Sequence, residues 1–362
     1  VDRYDWWILL SVVGLLGVGA ISVMSSSSVV SFKYTGDSYY FFKRHLLWIL
    51  IGFIAMVYAS TIDYHRILKH SRVIFLLTLV LLVMVFLPRI GRSVMGAHRW
   101  IHLGIFSFQP SELSKLALIL YLVDFVGRKK EKLSSLRDGV LPMAVASLML
   151  IALVGLEPDL GVSAVLFSLL MAVWFAGGTP LRYVLSVSAA FGSIVWIAVF
   201  FLGYGRRRIL SFLDPWKYQQ GAGFQAVQAL IAFGMGGVWG MGLGSGKQKF
   251  LYLPAQQTDF IFTVVGEELG MIGAFGVLAL YAILGYRGLK IALSAPDFSG
   301  YLLAVSIVFA ILLQAFINIA MVLGLLPITG ITLPFMSFGG TSMVVYMLMV
   351  GILLNIGRQS SA

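Results

Sequence analysis

Asp259 lies in the stretch YLPAQQTDFIFTVVGEELG, Tyr252 to Gly270, where a polar loop runs straight into a long apolar segment. A carboxylate at such a boundary reads in two ways. It caps the first backbone N–H groups of a helix, or, in a partly dry cleft, it has a raised pKa and takes a proton from a hydroxyl as general base. Glu267 and Glu268, two to three turns further on, read as acids placed to pair with a basic residue on a neighbouring element.

Three more groups put charge where chemistry is conceivable. Glu112 and Lys115 stand three apart in the first turn of a helix expected to follow Pro110, with Ser111 in the N-cap position. They form a local ion pair at the membrane edge, part of a polar cavity wall, or both. Arg99 and Trp100 precede that helix, either anchoring it in the headgroup layer or meeting a ligand, guanidinium on a diphosphate and indole on a sugar face. In GLEPDLG (155–161) Pro158 separates Glu157 from Asp159. That segment is a short solvated turn or a pair of metal ligands, since carboxylates with water suit magnesium. His98 and His102 share a helix-like spacing, but no helical pattern surrounds them, so they read as interfacial polar residues rather than a zinc pair.

The elements that must position these groups are membrane helices. Hydrophobic residues make up 59% of the 362-residue chain and charged residues 11%, against about a quarter charged in soluble domains. A span needs about 20 apolar residues. Ten stretches qualify, near 6–24, 46–62, 73–87, 111–127, 140–155, 160–177, 182–203, 261–285, 300–323 and 341–357. The first lacks a small-residue cleavage pattern and reads as a permanent span. The expected fold is an all-α integral membrane protein, one polytopic domain over 1–362. The basic loops DYHRILKHSR (63–72) and GRKKEKLSSLRDG (127–139) are expected in the cytoplasm, and with ten spans both termini join them.

That orientation places 25–45, 88–110, the long loop 204–260 and the hairpin 324–340 outside. Arg89, Arg92, Arg99, Arg206, Arg207, Arg208, Lys247 and Lys249 then form an outward basic set, and the net charge of +11 points to anionic lipid or phosphate rather than nucleic acid. The glycines from Gly234 to Gly246 lack the GxxxxGK[ST] pattern and a preceding strand, which argues against nucleotide binding. The amphipathic stretch Phe224 to Phe233 is expected to lie on or dip into the outer leaflet, re-entrant only if buried in protein. Absence of cysteine excludes disulfides, iron–sulfur clusters and thiol chemistry.

The blocks GAHRWI, FQPSELSK, EPDLG, RILSFLDPW, GFQAVQALIAFGMGG, YLPAQQTDFIF, GEELG, NIAMVLGLLPITGITLPFMSFGGTS and GILLNI, in one order from Gly96 to Ile356, resemble the SEDS family, the bacterial shape, elongation, division and sporulation proteins. GLGSGKQKFLYLP brings the chain nearer the FtsW and SpoVE members than the RodA members. The resemblance implies a peptidoglycan glycosyltransferase that polymerises lipid II at the outer face of the bacterial cytoplasmic membrane. It also implies a class B penicillin-binding protein as transpeptidase partner, with other division or elongation proteins around it. Relatives commonly carry an acid and a His shortly before the matching Asp. Gln256 and Gln257 stand there here, so any help from that His is missing.

On this reading Asp259 deprotonates or orients the 4-hydroxyl of one lipid-linked disaccharide as it attacks the anomeric carbon of another. Arg99, Arg206, Arg208 or Lys249 hold the departing diphosphate, a divalent cation (Mg2+ or Mn2+) shares that role, and Trp100, Glu112 and Lys115 shape the cavity. Two other classes remain open. A flippase for the lipid-linked precursor would place charges near the middle of several spans, and a non-enzymatic division scaffold would need no outer acid.

Overall fold

A computed structural model describes residues 5–87, 91–94, 97–103, 106–201, 203, 205–247 and 254–360. Among them, α1 (Trp6–Thr35), α2 (Tyr40–Thr61), α3 (Tyr64–Lys69) and α4 (Ser71–Met84) precede strands β1 (Gly91–Val94), β2 (Ala97–Leu103) and β3 (Phe106–Phe108). Next come α5 (Pro110–Arg128), α6 (Leu141–Leu156), α7 (Leu160–Ala176) and α8 (Leu181–Phe200). The long loop folds into α9 (Arg206–Leu213) and α10 (Phe224–Gly236) before α11 (Ile261–Leu293), α12 (Phe298–Val322) and α13 (Gly340–Ser360). Each of the ten apolar stretches falls on a helix. Among the described residues, seven helices are long and apolar enough to cross a membrane.

Contacts sort the connections into two ends of the bundle. At one end the Asp5 carboxylate meets Arg287 at 2.6 Å, joining the start of α1 to the last turns of α11. At the same end Tyr64 donates to Asp297 at 2.7 Å, Ser71 donates to Asp124 at 2.8 Å, and the Asn355 amide donates to Ser60 O at 3.0 Å. α1 and α11 run antiparallel, so Asp259 belongs to the other end, with the sheet, the 157–159 turn and the 324–339 hairpin. The loops 63–72 and 127–139 share the end of Asp5 and Asn355.

Helices in lipid gain little from apolar burial against one another, so close packing and polar contacts fix their arrangement. Among the seven long apolar helices α13 and α12 are the most enclosed and α8 the least. α2 and α13 approach so closely that a Cβ on Gly351 would stand 2.3 Å from Met56 O. Some polar side chains buried between helices are satisfied across them, as Asn355 is by Tyr64 N–H and Ser60 O.

The sequence reading differs from the fold at several points. α5 begins at Pro110 with Gln109 as its N-cap, so Ser111 is not the cap; proline suits the first helical position because its missing N–H has no partner there anyway. The 91–108 segment is an antiparallel meander, β1 to β2 to β3, with Trp100 opposite Arg92 and His102 opposite Ser107. His98 and His102 therefore lie on a strand, where four residues span about 13 Å, and the metal-like spacing dissolves. α10 packs on α11, and its Val227, Ala229, Ala232 and Gly236 are buried. The described partners of Glu267 and Glu268 are backbone N–H groups of the glycine-rich loop and the Ser25 hydroxyl.

Candidate active site

Asp259 sits in a turn whose N–H groups at 258 and 259 both donate to Ala255 O, at 3.1 Å each. α11 starts later, at Ile261, with Phe260 in the N-cap position and no side-chain cap. The carboxylate is thus released from capping. Asn318 of α12 holds the turn from behind by donating to Asp259 O at 2.8 Å. In front stands the hairpin: a Cβ on Gly330 would lie 3.6 Å from Asp259 Oδ2. The hairpin is stitched to the same turn, since Phe338 N–H donates to Gln257 O at 2.8 Å and Ser337 donates to Thr258 O.

The 157–159 turn forms the neighbouring wall. Glu157 and Asp159 are buried, which overturns the solvated-turn reading. Arg99 reaches them because β2 alternates faces: Ile101, two residues on, is buried, so Arg99 also points inward. Its Nε donates to Glu157 O at 3.0 Å, Nη2 donates to Pro158 O, and Nη1 lies 3.6 Å from Asp159 Oδ2. Asp159 also caps α7 by accepting from Val162 N–H at 3.2 Å. Arg99 is therefore a clamp on this turn rather than a headgroup anchor, while Trp100, on the opposite face of β2, is half-buried.

These charges act on one another. Burial pushes the Asp259 carboxyl up to about 6; the Thr258 hydroxyl and the Arg99 guanidinium pull against it, and Asp159 adds to it. Burial raises Asp159 too, against the pull of Arg99 and of the Val162 N–H. Glu157 goes further: burial, with Asp159 adding and Arg99 pulling against them, pushes its carboxyl up to about 8.

Glu112 and Lys115 lie deeper. Lys115 Nζ meets Glu112 at 2.7 Å, Gln314 Oε1 at 2.6 Å and Tyr346 OH at 3.2 Å, and its side chain has no exposed surface. Gln314 passes the link on by donating to Thr332 O at 2.9 Å, at the root of the hairpin. The pair is an internal strut beneath the cleft wall. Of the outer cations, Arg206 and Arg208 are exposed on α9, with Arg208 at the rim of a pocket formed with Leu230, Met321 and Ile328. Lys249 and Arg89 lie outside the described residues.

The model of the FtsW, RodA and SpoVE cell cycle proteins matches residues 6–362. The chain belongs to this family. It is 42% identical over 359 residues to a probable peptidoglycan glycosyltransferase FtsW of Geobacter metallireducens, covering 99% of this chain and 96% of that one. It is 41% identical to stage V sporulation protein E of Bacillus subtilis, covering 96% and 94%. Among solved structures it resembles a chain of a peptidoglycan synthase complex that coordinates polymerization and crosslinking, with TM-score 0.82, 28% identity and 99% and 98% coverage. It also resembles the rod shape determining protein RodA of Thermus thermophilus, with TM-score 0.72, 26% identity and 99% and 98% coverage. As a member of this family the chain is a multi-pass protein of the bacterial inner membrane.

In this family member the groups that hold the cleft together include several the sequence reading passed over. Asn318 and Gln314 are both fully buried, one turn apart on α12, and uncharged polar residues inside an apolar span were the available signal. Thr332, Ser337 and Tyr346 complete the hairpin's support, and no sequence pattern marks them. Asp159 is engaged by Arg99 and Val162 N–H, both Glu157 carboxyl oxygens are buried without a hydrogen-bond partner, and no cluster of three or more His, Asp or Glu suited to a metal occurs among the described residues.

Proposed function

We propose that the chain is a peptidoglycan glycosyltransferase polymerising lipid II, with Asp259 as general base in this cleft. One observation carries the assignment: the Asp259 carboxylate is freed from capping, set in a half-dry cleft facing the hairpin, and kept within the field of Arg99. The 4-hydroxyl oxygen of the acceptor attacks the anomeric carbon of the donor while its proton passes to Asp259. The bond from that carbon to the diphosphate breaks, and the electron pair leaves with undecaprenyl diphosphate. One base and a single displacement give inversion without a covalent intermediate.

In this reading the Asp259 end of the bundle faces outward and the loops 63–72 and 127–139 face the cytoplasm, with both termini. Arg99, tied to the 157–159 turn, acts on the cleft through its field, while Arg206, Arg208 and Lys249 of the long loop receive the diphosphate. Any divalent cation arrives with the diphosphate. A class B penicillin-binding protein supplies the transpeptidase. The test is glycan polymer on a gel from purified protein, transpeptidase partner and lipid II. Asp259→Ala and Asp259→Asn are expected to abolish it; undiminished polymer from either would sink the base assignment.

A further inference from the structure

α11 is interrupted at Gly270, whose backbone (φ 66°, ψ −161°) is far from helical. An unbroken helix would have Met271 and Ile272 N–H donate to Glu267 O and Glu268 O, and unpaired backbone groups inside a membrane bundle are costly. The loop after α10 takes over all four groups. Met241 and Gly242 N–H donate to Glu267 O and Glu268 O at 3.0 Å each, and Met271 and Ile272 N–H donate to Gly237 O and Val238 O at 3.0 and 3.4 Å. No side chain fits between these backbones. A Cβ on Gly240 would stand 2.2 Å from Glu268 O, and one on Gly270 would stand 2.3 Å from Gly240 N.

The carboxylate of Glu268 closes the clasp. It accepts from Gly244 N–H at 3.0 Å, from Gly246 N–H at 3.4 Å and from the Ser25 hydroxyl of α1, while Glu267 Oε1 accepts from Lys247 N–H at 2.6 Å. The glycine-rich loop is an anion cradle whose anions are the chain's own side chains. Through Ser25 the clasp is fastened to α1, itself anchored at the far end by Asp5 and Arg287. The outer segment of α11, Ile261 to Leu269, is thereby held apart from the inner one, and Asp259 stands just before it.

We propose that Glu268 is a positioning residue for glycan polymerisation: it keeps the 237–247 loop seated in the break of α11 and so fixes the direction in which Asp259 meets the acceptor hydroxyl. The inference rests on the reading of Asp259 as the base. Glu268 acts through the outer segment of α11 and through the loop, which are joined to the two sides of the Asp259 turn.

The test uses the full chain with its transpeptidase partner, with steady-state kinetics on lipid II and hydrogen–deuterium exchange over 237–247 and 267–272 in the same preparations. Glu268→Ala is expected to lower kcat about tenfold or more, leave KM within about twofold, and speed exchange in both segments. Glu268→Gln, which keeps one acceptor oxygen, recovers part of both. Should Glu268→Ala fail to assemble, Ser25→Ala removes a single bond to the same carboxylate and moves kcat and exchange the same way by less. Faster exchange with wild-type kcat overturns the proposal, as does a fall in kcat with exchange unchanged. Asp259→Ala separates the two failures: polymer from that variant sinks the base, whereas an inactive Asp259→Ala beside a fully active Glu268→Ala sinks the positioning role alone.

Discussion

The Asn318 amide donates to two carbonyls at once, Asp259 O at 2.8 Å and Ile331 O at 2.7 Å, so one side chain fastens the carboxylate's turn to the hairpin that faces it. Asn318→Ala strips a donor from both carbonyls in a dry site, where each unsatisfied group costs about 1–3 kcal/mol. A lower melting temperature in detergent and slower polymerisation of lipid II are expected together. Asn318→Asp, which keeps the shape and loses the donor, should be at least as harmful. Wild-type melting and rate in Asn318→Ala would mean the turn and hairpin are held by other contacts.

As the proposed general base, Asp259 is expected to act in its ionised form. With its carboxyl raised to about 6, activity is present above that pH and falls as pH drops through it. Arg99 favours the ionised form, so Arg99→Gln moves the acid limb of the rate profile to higher pH. Rates of wild type and Arg99→Gln between pH 5 and 8 check this. Superimposable acid limbs would show that Arg99 exerts no field on the base.

Lys115 is predicted to matter through its burial. Lys115→Met leaves Glu112 as an unpaired charge in the interior, which costs about 3–5 kcal/mol. The double variant Glu112→Gln with Lys115→Met removes both charges and should recover much of that loss. Thermal melting of the two singles and the double forms the cycle. Simple additivity would place the pair in contact with water and contradict the strut.

Charges are rare in so apolar a chain, and that made Asp259, Arg99, Glu112, Lys115, Glu157 and Asp159 stand out in the sequence. The ten apolar runs located helices for the same reason, since a span must satisfy its own backbone. What stayed hidden was partnership across sequence distance. Nothing local says that Arg99 donates to the carbonyls of Glu157 and Pro158, or that Glu268 is bound by N–H groups of a glycine-rich loop. The meander at 91–108 was hidden as well, because its strands are short and surrounded by turn residues. Asn318 was legible in principle, as an amide inside an apolar run. Its two acceptors, one on each side of the cleft, were not.

Glu157 offers a test that separates a buried neutral acid from a metal ligand. Its folded-state carboxyl is raised from 4.5 to about 8, and both its oxygens lack hydrogen-bond partners. A raised carboxyl favours folding below its ordinary value and loses that contribution as pH climbs to the folded value. Wild-type melting temperature should therefore decline from pH 5 to pH 9 by an increment that Glu157→Gln, neutral throughout, does not show. At pH 7 the glutamine variant should melt at or above the wild-type temperature and polymerise lipid II at a similar rate with the same magnesium requirement. A loss of activity in Glu157→Gln that excess magnesium restores would instead make Glu157 a cation ligand and reverse the assignment.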